Sequence, residues 1–383
     1  MKCSGVEVMT GSAVEISAST VIDGVDHLIS PPPGLPFVAP GFIDIQVNGF
    51  AGVDYCAPDS AMEEIGRSIR MLHSTGVTRF FPTVITGSPE NMAGALRNLA
   101  RAKESIPEGP AMEGFHVEGP HISPDDGPRG AHPQRQVRPP DYDEFRRWQE
   151  AANGDVRLVT VSPEWPGIEA YIERLVREGV VVAIGHTKAT AEQIQEAVKA
   201  GATLSTHLGN GAHWTLARHP NYIWEQLAED RLAASFIIDG THLDAAFLKV
   251  ALRAKGVERS ILITDAVMPA GCEPGPYTLG EVEVELRRDG SVRLRGGDRL
   301  AGSALTMDRG ITTAMRLAGI SLREAITMAT INPARVGRIA SRRRGIATGE
   351  RADLVLFELD EATKELRVLE TYVSGERVYR APR

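Results

Sequence analysis

The sequence predicts a (β/α)8 barrel carrying a small β-sandwich domain built from both chain ends. Three observations predict it: eight short apolar runs separated by amphipathic stretches between about Gly41 and Met268, polar groups at the ends of those runs, and strand-like segments flanking them on both sides. With 383 residues and 42% hydrophobic content, the chain can bury a core of that size.

In chain order the runs are Gly41 to Asn48 (GFIDIQVN), Arg79 to Ile85 (RFFPTVI), Glu113 to Val117 (EGFHV), Arg157 to Val161 (RLVTV), Val180 to Ile184 (VVVAI), Ala202 to Thr206 (ATLST), Ala234 to Ile238 (ASFII) and Ser260 to Thr264 (SILIT). Their near-continuous apolar character is that of parallel strands buried on both faces. Between them Met62, Ile65, Ile69 and Leu72 recur at helical spacing, as do Ala191, Ile194, Ala197 and Val198 after a Thr190 suited to cap the turn. Val6 to Leu28 and Ala352 to Tyr379 read as short strands; neither has enough apolar surface to fold alone, so the two ends are expected to pair. This divides the chain into a β-rich domain of residues 1–39 and 345–383 and a barrel of residues 40–344. Between Tyr277 and Arg295 a hairpin should turn at Asp289-Gly290 and lead into a loop over Ala301 to Asp308.

Bulk properties exclude several classes of function. A net charge of −8 from 42 basic and 50 acidic residues, with no basic tract beyond Arg342, Arg343 and Arg344, argues against a nucleic-acid partner. No run approaches the length of a membrane span and no leader pattern opens the chain, so no membrane partner is expected. Cys3, Cys56 and Cys272 are odd in number and irregularly spaced, which points to a reducing, cytoplasmic setting.

Barrel enzymes place chemistry at the carboxyl ends of their strands. Here the third run ends in Glu118, the fifth in His186, the sixth in His207, the seventh in Asp239-Gly240-Thr241-His242 and the eighth in Asp265. One His at a strand end is ordinarily a hydrogen-bonded structural residue, but five such groups at separate strand ends rarely coincide without function. Two imidazoles and a carboxylate supply three N/O ligands and leave a position for water, which suits a divalent metal. Asp265 is the candidate general base, with a fourth-ligand or helix-capping role as the alternatives.

Eight motifs then occur in a particular order: PGFIDIQVNG (Pro40 to Gly49), HVEGP (His116 to Pro120), RGAH (Arg129 to His132), GHT (Gly185 to Thr187), THLGN (Thr206 to Asn210), DGTH (Asp239 to His242), TDA (Thr264 to Ala266) and GSALTMD (Gly302 to Asp308). Through this ordered set essentially the whole chain resembles the N-acetylglucosamine-6-phosphate deacetylases of the amidohydrolase superfamily. The resemblance implies a TIM barrel of the amidohydrolase type, a metal held by Glu118, His186 and His207, and Asp265 as the acid/base. It implies one divalent ion, zinc before iron, manganese or cobalt, because Gln46 and Asn48 stand where many amidohydrolases carry a His-x-His pair for a second metal. Both amides join the expected substrate-binding set, with hydrogen bonding within the loop as the alternative.

His132, by itself an unremarked loop histidine, matches a family residue that hydrogen-bonds the substrate acetyl oxygen. Asn210, Gly211, Arg218 and His242 match the phosphate-binding positions, with a basic contact supplied across a homodimer. The loop departs from the family there: Asn210-Gly211-Ala212 and Arg218-His219-Pro220-Asn221 replace the commoner Asn-Ala-Met and Arg-Glu-Pro-Gly, and His213, Trp214, Tyr222 and Trp224 make it unusually aromatic. The expected reaction is hydrolysis of N-acetyl-D-glucosamine 6-phosphate to glucosamine 6-phosphate and acetate by metal-activated water. A deacetylase for an unphosphorylated or galacto-configured amino sugar, an N-acyl amino acid hydrolase and a non-catalytic barrel are the alternatives.

Overall fold

The computed structural model describes every residue except Glu281, Arg343 and Arg383. Eight parallel strands neighbour one another in chain order: β1 (Phe42–Val47), β2 (Val77–Ile85), β3 (Phe115–Glu118), β4 (Val156–Val161), β5 (Val181–Ile184), β6 (Leu204–Ser205), β7 (Ala233–Ile237) and β8 (Ser260–Ile263). The circle closes just beyond β8, where Val47 pairs in parallel with Ala266, the Asp265 amide donates to the Gln46 carbonyl at 3.0 Å and the Asn48 amide to the Ala266 carbonyl at 2.7 Å. All eight expected runs are strands.

Side-chain alternation sorts two layers. Val181, Ala183, Ile261 and Ile263 join Ile43, Ile45, Phe81 and Leu158 in a cluster inside the barrel, while Val180, Val182, Ile184 and Leu262 face the surrounding helices. Above the interior cluster lies a polar layer, in which His116 Nε2 meets Thr160 Oγ1 at 2.8 Å and Thr160 Oγ1 meets Thr206 Oγ1 at 3.0 Å. The helix Met62–His73 buries Ile65, Ile69 and Leu72, and the helix Ala191–Ala200 starts at a reciprocal cap between Thr190 and Gln193.

The chain ends share one sheet of seven strands. Phe37–Pro40 lies at its centre, parallel to Lys2–Glu7 and antiparallel to Leu354–Leu359. Leu354 and Leu356 pack with Val14, Ile16 and Val38 on one face; Val355 and Phe357 join the barrel's outer core on the other. The two units are pinned by a buried charge cluster. Asp353 Oδ2 accepts from Arg79 Nε at 2.6 Å and lies 2.9 Å from Arg342 Nη2, and Asp353 Oδ1 lies 2.9 Å from Arg351 Nε. The short arginine run is thus partly structural at Arg342; Arg343 lies outside the described residues.

The hairpin is present, Val282–Leu286 with Ser291–Leu294, and belongs to a four-stranded antiparallel sheet that also includes Gly275–Leu279 and Leu300–Ser303. The expected loop over Ala301 to Asp308 therefore begins as a strand, which bridges back to the barrel between Ser303 and Ala266, and ends as the first turn of the helix Met307–Ala318.

Candidate metal centre

At the carboxyl ends of β3, β5 and β6 the structure brings Glu118, His186 and His207 together, all buried. Glu118 Oε1 lies 2.8 Å from His207 Nε2 and 3.3 Å from His186 Nε2, and the two Nε2 atoms are 3.1 Å apart. Beyond the strand ends the backbone turns sharply: His186, His207 and Asp265 all have positive φ, at 49°, 32° and 50°. Non-glycine residues held in that left-handed region cost stability, and their concentration at one barrel mouth marks a site rather than a packing solution.

The surrounding contacts set protonation. His186 Nδ1 lies 2.8 Å from the Pro128 carbonyl, which can only accept; Nδ1 therefore carries the proton and Nε2 presents a lone pair. Gln46 is buried beneath the mouth, and its amide nitrogen donates to Glu118 Oε1 at 3.0 Å and to Asp265 Oδ1 at 3.1 Å. Asn48 donates to the same Asp265 oxygen at 2.7 Å and also lines the cavity. The two amides thus space and orient the carboxylates.

Burial alone would push the Glu118 carboxyl up, but the His186 and His207 side chains packed against it hold it well below the usual carboxylate range. Asp265 moves the other way, raised to about 6 by burial and by the negative charge of Glu118. Two carboxylates an amide apart are therefore differentiated, one fixed as an anion and one poised to exchange a proton near neutrality. His132 is pulled down to about 3 by burial and by His186, so its ring is neutral. Its Nδ1 bonds Thr86 Oγ1 at 2.8 Å, leaving Nε2 for the cavity it lines.

The donor set fits a metal ion. Two Nε2 lone pairs and a carboxylate oxygen packed within 3.3 Å repel one another unless a cation or proton lies among them. The 3.1 and 3.3 Å separations are close to the roughly 3.4 Å expected between ligands of a tetrahedral ion with bonds of about 2.0–2.1 Å, and the 2.8 Å one is shorter. Gly211 packs over this triad with φ +55°, and a Cβ there would lie 2.7 Å from His186 Nδ1.

The cavity above the triad has a volume of about 420 Å³, inside the roughly 300–1,000 Å³ typical of small-molecule sites. Asn210, Gly211 and His242 line it, the last with Nδ1 2.7 Å from Asp239 Oδ2. Arg218 is exposed on the loop outside and is not among the lining residues of this chain. Of the aromatic residues in that loop, His213 and Trp214 reach the cavity, Trp214 staying 81% exposed, whereas Tyr222 is buried and receives the His213 amide on its hydroxyl at 2.8 Å.

Sequence reasoning missed the apolar wall of Ile85, Ile237, Val267 and Leu279, and it missed Arg299. Arg129 had a signal, since it opens the RGAH motif; its Nη1 donates to the His132 carbonyl at 2.7 Å.

A parallel barrel with a His/His/carboxylate cluster and a separate buried aspartate at its mouth is the build of a metal-dependent hydrolase. The family model described as "Amidohydrolase family" matches residues 37–378. The N-acetylglucosamine-6-phosphate deacetylase of Bos taurus is 36% identical over 357 residues, covering 89% of this chain and 83% of the bovine protein. That of Bacillus subtilis (strain 168) is 33% identical, covering 84% and 80%. A mutant N-acetyl-D-glucosamine-6-phosphate deacetylase from Mycobacterium smegmatis, solved in complex with N-acetyl-D-glucosamine-6-phosphate, superposes with a TM-score of 0.86 at 32% identity, covering 96% of this chain and 94% of that one. This chain belongs to the N-acetylglucosamine-6-phosphate deacetylase family of the amidohydrolases.

Proposed function

We propose that the protein hydrolyses the acetamide of N-acetyl-D-glucosamine 6-phosphate to glucosamine 6-phosphate and acetate, a step of amino-sugar catabolism. The observation that carries the chemistry is geometric: Glu118, His186 and His207 converge at the strand ends, and Asp265 stands beside them, tied to Glu118 through Gln46 and held by Asn48. Glu118, His186 and His207 would hold one divalent ion, zinc by donor type, with iron, manganese and cobalt as substitutes. Such an ion supplies an acidified water and polarises the amide carbonyl.

The chain's own residues do the rest. Asp265 takes the proton of the attacking water and returns it to the departing nitrogen. His132 Nε2 donates to the acetyl oxygen as negative charge develops there. Gln46 and Asn48 hold Asp265 Oδ1 in line through the two bonds described above. Ile85 and Ile237 offer apolar surface to the acetyl methyl.

Asn210, the Gly211 backbone and His242 are proposed to meet the sugar and its 6-phosphate. Arg218, exposed on the neighbouring loop, would reach the phosphate bound by a second copy in a homodimer. Residues 1–39 with 345–383 and residues 40–344 are proposed as the two units of the fold. Among the described residues no helix is long and apolar enough to cross a membrane; a cytoplasmic enzyme is the reading the three unpaired cysteines support. Acetate release from N-acetylglucosamine with and without the 6-phosphate tests the assignment, and Arg218→Ala should impair only the phosphorylated substrate.

A further inference from the structure

Arg299 belongs to none of the motifs that mark the site, yet it lines the catalytic cavity. It ends the turn before the strand Leu300–Ser303, so it projects from the four-stranded sheet that forms one wall. Across the mouth stands the segment from Ser123 to His132, which carries three site elements: the Ser123 amide that donates to the His186 carbonyl at 2.9 Å, the Pro128 carbonyl that fixes His186 Nδ1, and His132 itself.

The Arg299 guanidinium meets that segment as a fork, with Nη1 2.7 Å from Asp126 Oδ1 and Nη2 2.9 Å from Asp126 Oδ2. Arg129 Nη2 reaches Asp126 Oδ1 at 3.2 Å while its Nη1 holds the His132 carbonyl. A continuous line of charge-assisted bonds therefore runs from Arg299 through Asp126 and Arg129 to the backbone of His132, joining residues 173 positions apart. Lys188 Nζ holds the neighbouring Asp125 Oδ2 at 2.8 Å from the side of the fifth strand; the Arg299 pair joins the segment to the opposite wall of the cavity.

We propose that Arg299 is a positioning residue for substrate binding: its fork onto Asp126 clasps the strand Leu300–Ser303 and the sheet it belongs to onto the His132 segment and closes the mouth over the amino sugar. The inference rests on the deacetylase reading above. The Pro128 bond to His186 and the Arg129 Nη1 bond to the His132 carbonyl do not involve Arg299 or the Asp126 carboxylate, so the ligand His186 and the donor His132 keep their places even where Arg129 Nη2 loses Asp126. What is lost is the closed rim, which acts on substrate capture.

The test is a double-mutant cycle of Arg299→Ala and Asp126→Ala, read as KM and kcat for acetate release with metal content measured on each protein. Asp126 is 65% exposed on its side chain, and a pair that exposed supports a change of at most about fivefold. Each single variant should raise KM about two- to fivefold with kcat within about twofold of the parent, and the double variant should be no worse than either single. High salt should raise the parent's KM by a larger factor than the variants', because only the parent has the clasp to lose. A KM unchanged in either single variant, or increases that multiply in the double, overturns the clasp. A purely structural role for Arg299 would lower the active fraction and the melting temperature without moving KM, and that too overturns it. If the parent releases no acetate at all, the deacetylase reading has failed instead.

Discussion

The Nε2 atoms of His186 and His207 point at each other across 3.1 Å, with Glu118 Oε1 in contact with both. Two imidazole nitrogens and a carboxylate oxygen do not rest at those distances without a proton or a cation among them. Removing metal with a chelator should abolish turnover, and adding zinc should restore it. Glu118→Gln leaves the shape but removes the charge; bound metal per chain, measured by elemental analysis, should fall from near one to a small fraction. Full metal content in that variant would contradict the centre.

Asp265 is expected to move protons without contributing to metal retention. Asp265→Asn preserves the bonds available to the Asn48 and Gln46 side chains only in part, but it cannot accept a proton. A general base contributes roughly 10²–10⁴-fold, so kcat should drop about 10³-fold while metal content stays near the parent's. Near-normal turnover would remove Asp265 from the mechanism.

The pH profile follows from the same carboxyl. Burial and the Glu118 charge raise Asp265 to about 6. The base form is present above its pKa and is lost as pH falls through it, so kcat/KM should fall on the acid side. A cation on the triad favours the anion and moves the limb down. Steady-state assays between pH 4.5 and 8 check this, and activity that increases on acidification below 6 would contradict it.

Much of this was legible in the sequence. Parallel strands buried on both faces leave continuous apolar runs, so β1 through β8 announced themselves, as did the polar residues at their ends. Thr190 declared a helix start by local chemistry that needs no distant partner. Other features left no such trace. Leu300–Ser303 read as loop because Ala301, Gly302 and Ser303 are small, and the strand exists through pairing with Ser291–Leu294 and the bridge from Ser303 to Ala266. The Pro128 carbonyl that sets the His186 tautomer is backbone and carries no side-chain signature. Gln46 looked like a vacated ligand, whereas its function as a spacer between Glu118 and Asp265 depends on contacts 72 and 219 positions away. Arg218 was placed by motif alone, and within one chain it lies outside the cavity.

The cluster that joins the two units should govern acid stability. Burial would raise the Asp353 carboxyl, but Arg342, Arg351 and Arg79 bring it down to about 2. A depressed carboxyl stabilises the fold above its unfolded value of about 4 and loses that contribution as pH falls from about 4 toward 2, about 2 kcal/mol in all. Asp353→Asn strands buried guanidinium charge and should cost about 3–5 kcal/mol in urea denaturation at pH 7. Removing the carboxylate without measurable loss of stability would contradict this account.

The most direct measurement is acetate release from N-acetyl-D-glucosamine 6-phosphate by zinc-loaded protein, with glucosamine 6-phosphate quantified alongside. One acetate per free amino sugar, dependent on the metal and absent in Asp265→Asn, is the predicted result. Protein that carries one metal ion per chain yet releases no acetate from this substrate, with zinc, iron, manganese or cobalt, would contradict it.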